Sequence, residues 1–368
     1  MGLEAKNLAA GYRVRNRTRI VIDGAEFEVK SGEVVALIGP NGSGKTTLLR
    51  TAANRLSPLD GAIFLDGTDM SLMDQHDIAL RLAALTTERI SPALMTSADI
   101  VEAGRYPYTN ILGRMTERDR SAVADALRTV HAEELADTLF DTLSDGQRQR
   151  VLLARAIAQE PQVMILDEPA SYLDIRHKLE IFSILRGLAS KGMAVIMSVH
   201  ETDLAMKAAD RLICVKGGHI AAQGLPEEIF SSGMIPELYD IPANSFDSVN
   251  GNVELMRTEG EPQIFVIGSC GYASAVYRQL RRSGIPFSAG ILRTNDIDFP
   301  CAKALAQEVF TVPPFEPADD MIYEKALSAA KKCGRVISAQ ETFGGYDDNR
   351  RLYEMINDSD IPVGRDIP

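Results

Sequence analysis

A glycine-rich nonapeptide, GPNGSGKTT at residues 39–47, constrains this chain more than any other feature in it. It fits G-x-x-x-x-G-K-[ST], with Gly39, Gly44, Lys45 and Thr46 at the required places. The apolar run EVVALIG at 33–39 predicts a buried strand before it. KTTLLRTAANRL at 45–56 predicts a helix behind it, through Leu48, Leu49, Ala52 and Leu56 to the stop at Ser57-Pro58. Strand, glycine turn and helix N-terminus in that order make an anion cradle. Unpaired N–H groups of the first helical turn point at phosphate oxygens, and the helix dipole favours their charge. A Cβ in the turn would hold the backbone away from the ligand. The cradle residues are Gly39, Pro40, Asn41, Gly42, Ser43, Gly44, Lys45, Thr46 and Thr47. Lys45 brings a mobile charge to the β- and γ-phosphates, and the Thr46 hydroxyl suits Mg2+.

At 368 residues the chain exceeds one typical core, so two domains are expected. Composition is that of a soluble globular protein, and no apolar run approaches the roughly 18–20 residues of a membrane span. The N-terminal stretch lacks the apolar core of a signal peptide, and Lys6 breaks a myristoylation pattern. Any membrane role is therefore expected through a partner. A net charge of −12 argues against a nucleic-acid partner. Cys214, Cys270, Cys301 and Cys333 have no metal or redox spacing and read as reduced thiols of a cytosolic protein. His76, His131, His177 and His219 form no metal pattern either.

Residues 1–240 read as one block, with a mainly helical stretch at about 86–145 followed by alternating helix and strand. The runs at 163–166 and 194–199 are short and uninterruptedly apolar, as parallel strands buried on both faces are. An Asn-, Ser-, Gly- and Pro-rich stretch at 241–262 reads as a linker. A second α/β pattern occupies 263–368.

The rest of the first block narrows the chemistry. VMILDEP ends an apolar strand in Asp167 and Glu168, at the edge where open parallel sheets bind ligands. Asp167 can hold magnesium beside Thr46, and Glu168 can orient or deprotonate an attacking water. LSDGQ at 143–147 opens another helix N-terminus through Ser144 and Gly146. MAVIMSVH delivers His200 to the end of the next strand, where it can donate to a γ-phosphate or hold the water.

In motif order and spacing the chain resembles an ABC transporter ATP-binding subunit over about two-thirds of its length. The resemblance makes 39–47 the Walker A loop, 143–147 the signature (Ser144, Gly146 and Gln147), Asp167 the Walker B acid and Glu168 the catalytic carboxylate. It makes 171–174, ending in Asp174, the D-loop, His200 the H-loop residue and Tyr12 the aromatic that stacks on adenine. It implies a P-loop NTPase cassette with a helical subdomain, and ATP with Mg2+ as ligands. It also implies a homodimer whose two chains face head to tail, each ATP touching one chain's Walker A loop and the other's signature. Loss of such a preorganised donor costs about 2.7–4 kcal/mol of transition-state stabilisation, so hydrolysis should depend on dimer closure. Two positions depart from the pattern. Asp145 follows the signature serine, and Thr87 stands where the Q-loop glutamine is expected, with a hydroxyl that could reach Mg2+ only through a water.

GRYPY at 104–108, after the helix start TSADIV, resembles importer subunits for ferric siderophores, haem and cobalamin. That resemblance implies a peripheral subunit at the cytoplasmic face of the cell membrane. Transmembrane permease subunits would be gripped through 87–108, and a substrate-binding protein engaged indirectly. The alternative is a soluble ABC ATPase not coupled to transport, with the C-terminal domain as a ligand-sensing module. Against it, the chain carries a single cassette, and only residues 48–142, without heptads, separate Walker A from the signature.

The C-terminal pattern gives four strands, at 264–268, 287–292, 308–315 and 335–340, with helices between: a small doubly wound α/β domain. Its first turn, GSCGYASA, places Gly268, Cys270 and Ala273 where a dinucleotide fingerprint needs three glycines. Asp296 and Asp298 follow the second strand. The domain reads either as a small-molecule sensor or as a dimerisation or scaffolding module.

Overall fold

The chain opens with two long antiparallel strands, β1 (Gly2–Val14) and β2 (Arg17–Lys30). Along β2, Ala25, Phe27 and Val29 turn inward while Glu26, Glu28 and Lys30 face out, the two-residue period of a half-buried strand. The computed structural model describes residues 2–14, 17–86, 94–109, 113–171, 173–344 and 347–367. These fall into two compact units, Met1–Met234 and Ile235–Pro368.

In the first unit β3 (Val34–Ile38) is followed by α1 (Lys45–Ala52), β4 (Asp60–Leu65) and the short β5 (Thr68–Asp69). One sheet has the order β2-β1-β4-β5. The predicted helix at 45–56 ends early, because Asn54 takes a left-handed φ of 56° and the N–H groups of Arg55 and Leu56 both turn back to Arg50 O. A second sheet places β3 at its centre. Its order is β10-β9-β3-β8-β7-β6, built from β6 (Leu82–Leu85), β7 (Val163–Leu166), β8 (Ala194–Ser198), β9 (Arg211–Lys216) and β10 (His219–Gly224). All pairings are parallel except β9 with β10. Every residue of β3, β7 and β8 is buried. Leu48, Leu49 and Ala52 of α1 pack into a core shared by both sheets. Each fully buried leucine there contributes about 1.5–3 kcal/mol.

The helices of this unit are α2 (Gln75–Arg81), α3 (Ser97–Glu102), α4 (Glu117–Thr129), α5 (Asp145–Ala158), α6 (Ile175–Ala189), α7 (Thr202–Ala208) and α8 (Pro226–Ser231). The segment expected to be a helical subdomain holds α3 and α4, which pack on α5. All three start in capping boxes, Thr96 with Asp99, Thr116 with Asp119 and Ser144 with Gln147. The next helix, α9 (Met234–Tyr239), runs across the division between the units.

In the second unit, residues 241–262, expected as a linker, carry a two-stranded ladder of β11 (Phe246–Asp247) and β12 (Asn252–Val253). They are tied to this unit by bonds from Asn244 Nδ2 to Lys303 O (3.3 Å) and from Arg278 Nε to Glu254 (3.0 Å). The main sheet is parallel throughout, in the order β15-β14-β13-β16-β17. Its strands are β13 (Ile264–Ile267), β14 (Phe287–Arg293), β15 (Val309–Val312), β16 (Val336–Ser338) and β17 (Val363–Gly364), the last an addition to the four expected. Its helices are α10 (Ser274–Arg282), α11 (Phe299–Leu305), α12 (Asp320–Cys333) and α13 (Asp348–Asn357). Tyr277 and Leu280 of α10 share one core with Ala302 and Leu305 of α11, while Tyr323 and Ala326 of α12 share another with Leu352 and Ile356 of α13. Helices therefore cover both faces, and strand order reverses between β13 and β16.

Candidate functional site

Two glycines make the 39–47 turn possible. At Gly39 (φ 150°) a Cβ would lie 2.1 Å from Val215 O, and at Gly44 (φ 109°) it would lie 2.5 Å from Ile22 Cδ1. The turn therefore lies against the end of β9 and the middle of β2 as only glycine can. Gly44 caps α1 without a side chain, so the N-cap supplies no acceptor to the first-turn N–H groups of that helix. Ser43 Oγ is buried in the turn, with no partner among the described residues. Lys45 is buried and folds back over the loop, its Nζ donating to Gly39 O (2.7 Å) and Pro40 O (3.0 Å). Burial pulls the Lys45 ammonium below its ordinary pKa, against the opposing charges of Glu168 and Asp167.

β7 and β8 bring the acids to this turn. Thr46 Oγ1 donates to Asp167 Oδ1 at 3.1 Å, and Ser198 Oγ donates to the same oxygen at 2.8 Å. Asp167 Oδ2 is buried and has no partner among the described residues. A buried carboxylate oxygen without a donor is costly, and a hydroxyl beside a carboxylate is the hard-oxygen set that Mg2+ takes, so Thr46 and Asp167 fit that ion. Thr87, expected as a further magnesium contact, lies outside the described residues.

Glu168 sits in the left-handed region (φ 51°), and its N–H donates to Ser198 Oγ at 2.8 Å, so one serine bridges both acids. Its Oε2 accepts from Ser171 Oγ (2.8 Å), and its Oε1 lies 2.5 Å from His200 Nε2. Burial would raise the pKa of the Glu168 carboxyl. Bonds from Ser171 and His200, with the charges of His200 and Lys45, outweigh it and hold the group below the usual range. Tyr12, near the end of β1, reaches α1, its hydroxyl 3.4 Å from Thr47 Oγ1.

Ser144, Gly146, Gln147 and Asp174 gather as a second group. Ser144 N donates to Gln147 Oε1 (2.9 Å) and Gln147 N to Ser144 Oγ (3.3 Å). A Cβ on Gly146 would sit 3.2 Å from the His177 ring. That ring pairs with Asp174 Oδ1 at 2.8 Å, and Asp174 also caps α6 through His177 N–H. The N-termini of α5 and α6 are thus joined through His177.

Four residues have structural duties that no sequence motif announces, three of them within these groups. His177 was passed over for lacking metal spacing. Ser171 and Ser198 were seen only as parts of motifs, although a serine ending an apolar strand is a readable sign of a polar duty. Arg105 was read within GRYPY as part of a contact surface. Instead it is buried, bound to Asp119 Oδ1 (2.9 Å), Glu160 Oε2 (2.7 Å) and Ala158 O (2.7 Å), with its guanidinium 3.8 Å over the Tyr108 ring. Bonds from the Thr116 hydroxyl and N–H, with Arg105 adding, pull the Asp119 carboxyl down to about 2. Gly104 lies flat against α5, where a Cβ would meet Arg155 O at 2.2 Å. Tyr106 of the same string is 80% exposed, and Leu94 is 87% exposed.

Comparison with known proteins places this geometry. The ABC transporter family profile matches residues 22–171. The ABC transporter ATP-binding protein MJ0873 of Methanocaldococcus jannaschii, itself uncharacterized, is 40% identical over 280 residues, 76% of this chain and 95% of that relative. The chain belongs to the ABC transporter ATP-binding proteins. It is accordingly an ABC ATPase. This ABC protein is also 36% identical to the ferric enterobactin transport ATP-binding protein FepC of Escherichia coli over 240 residues, 65% of this chain and 87% of that one. The cobalamin import ATP-binding protein BtuD of Halobacterium salinarum is 29% identical over 326 residues, 86% of this chain and 81% of that one. Among solved structures, the cassette MJ0796, a dimer in a post-hydrolysis state with ADP and Pi, matches with a TM-score of 0.54 at 25% identity, covering 61% of this chain and 98% of that one. In the second unit, the MJ0874 family profile matches residues 287–363. Among the described residues no helix is long and apolar enough to cross a membrane.

Proposed function

We propose that this ABC ATPase hydrolyses Mg·ATP as a head-to-tail homodimer and thereby powers import of an iron-siderophore, haem or cobalamin-type chelate. The observation that carries the ATP chemistry is the unpartnered Asp167 Oδ2 beside Thr46, at the foot of a helix whose N-terminus has no side-chain cap. Bound Mg2+ supplies charge neutralisation across the β- and γ-phosphates. The protein's own groups do the rest. Lys45 exchanges its loop carbonyls for phosphate oxygens, Ser43 donates its free hydroxyl, and Tyr12 covers the adenine. Glu168, kept ionised by Ser171 and His200, accepts a proton from the attacking water, and His200 holds that water against the γ-phosphate. The partner subunit contributes its signature, equivalent to Ser144, Gly146 and Gln147, with Asp174 alongside.

The transport reading draws support from the siderophore and cobalamin relatives. Transmembrane permease subunits dock through 87–108; residues 87–93 lie outside the described residues, and in the rest Leu94 and Tyr106 stand exposed. A substrate-binding protein delivers the cargo, and this subunit stays peripheral at the cytoplasmic face. Glu168→Gln tests the assignment. The variant should bind ATP, hold it unhydrolysed and run as a dimer on gel filtration. A Glu168→Gln chain that binds ATP yet stays monomeric would refute the composite site.

A further inference from the structure

The first turn of α6 carries two side chains that make different attachments. Lys178 pairs with Glu201, the neighbour of His200, which fastens α6 to the group around Glu168. His177 reaches the other group. Its Nδ1 lies 2.8 Å from Asp174 Oδ1, and its backbone N–H donates to the same oxygen at 2.9 Å. An ionised carboxylate only accepts, so Nδ1 carries the proton. The ring also covers Gly146, where a Cβ would stand 3.2 Å from both Cγ and Cδ2 of the imidazole. Gly146 belongs to the first turn of α5, whose N–H groups have no carbonyl of their own helix to bond. The imidazole thus touches Asp174 and the signature turn together.

A helix cap does not need this ring. The Asp174 carboxylate already takes the N–H of residue 177, which any residue but proline would supply. The Asp174 side chain is 66% exposed and that of His177 31% exposed, and a contact so open to solvent adds little stability. What the ring adds is order. It holds the carboxylate and the glycine turn in one fixed relation, from a helix that Lys178 anchors elsewhere. Without it the two are no longer joined. Preorganised groups stabilise transition-state charge only where their position holds, and a displacement of about 1 Å can cost about 100-fold in rate.

We propose that His177 is a positioning residue for ATP hydrolysis and that it acts in trans. Its ring sets Asp174 and the Gly146 turn as one surface against the nucleotide held by the partner's Walker A loop, and it leaves the cradle of its own chain untouched. This role presupposes the head-to-tail dimer and names the residue that keeps the trans half of each site in shape.

Phosphate release by full-length chains, singly and in equal mixtures, tests this. His177→Ala alone should lose about 10–100-fold in kcat. It should still bind a fluorescent ATP analogue as tightly as wild type, because its cradle is intact. The reference mixture is Lys45→Ala, which damages the cradle, with Ser144→Arg, which blocks the signature; each heterodimer then holds one undamaged site. Mixed with Lys45→Ala, His177→Ala supplies a sound cradle that faces the unaltered His177 of the other chain, so activity should rise to the reference level. Mixed with Ser144→Arg, it can supply only a damaged trans half, so activity should stay low. If the reference mixture is inactive where wild-type chains turn over, the composite site falls and this role with it. If the reference works, the role of His177 alone falls in any of four cases: His177→Ala is as active as wild type, fails to bind the analogue, is rescued by neither partner, or is rescued by Ser144→Arg.

Discussion

Ser198 illustrates how much of the chemistry rests on one small side chain. Its hydroxyl donates to Asp167 Oδ1 and accepts from Glu168 N–H, so it aligns the proposed magnesium ligand with the proposed base. Ser198→Ala should keep the fold, since the position is a buried strand end that alanine fills. It should raise the Mg2+ concentration needed for half-maximal turnover or lower kcat, by about 10–100-fold, as loss of an orienting partner does. A metal titration of ATPase activity reads this directly. Ser171 acts on Glu168 differently, through its protonation. The Glu168 pKa lies below the ordinary carboxylate value with Ser171 donating to it. The ionised base is thus present well into acid, and activity is lost only as pH falls through that depressed value. Ser171→Ala removes a bond to the ionised form, so the acid limb of the kcat–pH profile should move to higher pH. A limb that stays put, or moves toward acid, would contradict the role given to Ser171.

At the scale of elements, Arg105 holds α4 and the end of α5 to the GRYPY turn. It is fully buried and satisfied by Asp119, Glu160 and the carbonyl that ends α5. Truncating one partner of a buried ion pair strands the other, so Arg105→Ala should cost about 3–5 kcal/mol. Arg105→Lys should recover little, because one ammonium cannot replace a planar fork spread over three acceptors. Denaturant unfolding of the two variants measures this, with Tyr106→Ala as a nearly neutral control on the exposed side of the same turn. The same string shows where sequence reasoning stops. Family resemblance assigns it to a contact surface. Burial is set by residues far along the chain, Asp119 and Glu160, and no local pattern around Arg105 announces them. The strand, turn and helix at 33–52 were legible because every requirement is local: an apolar run, glycines at left-handed positions, and a helical period behind them. Even there, the helix end was misplaced by one asparagine in the left-handed region.

For the whole molecule, the site residues gather around two different helix ends of the cassette. Lys45, Thr46, Asp167, Glu168 and His200 gather around one helix end. Ser144, Gly146 and Gln147 gather around another, locked to Asp174 through His177. In the second group Ser144 and Gln147 are bonded to one another, and Gly146 leaves room beside the His177 ring where a side chain would intrude. In the proposed head-to-tail dimer each nucleotide takes the first group from one chain and the second from its twin, and this can be tested by complementation. Lys45→Ala disables the phosphate cradle and leaves the signature intact. Ser144→Arg blocks the signature, at a helix-cap cost of about 1 kcal/mol, and leaves the cradle intact. Alone, each variant should be nearly inactive, because every site in either homodimer contains one damaged half. Mixed, the two chains form heterodimers in which the intact cradle of one faces the intact signature of the other, and ATPase activity should reappear. The gain should saturate at equal proportions and vanish on dilution below the dimer dissociation constant. A mixture no more active than its components, under conditions where wild-type chains pair and turn over, would show that each chain completes its own site.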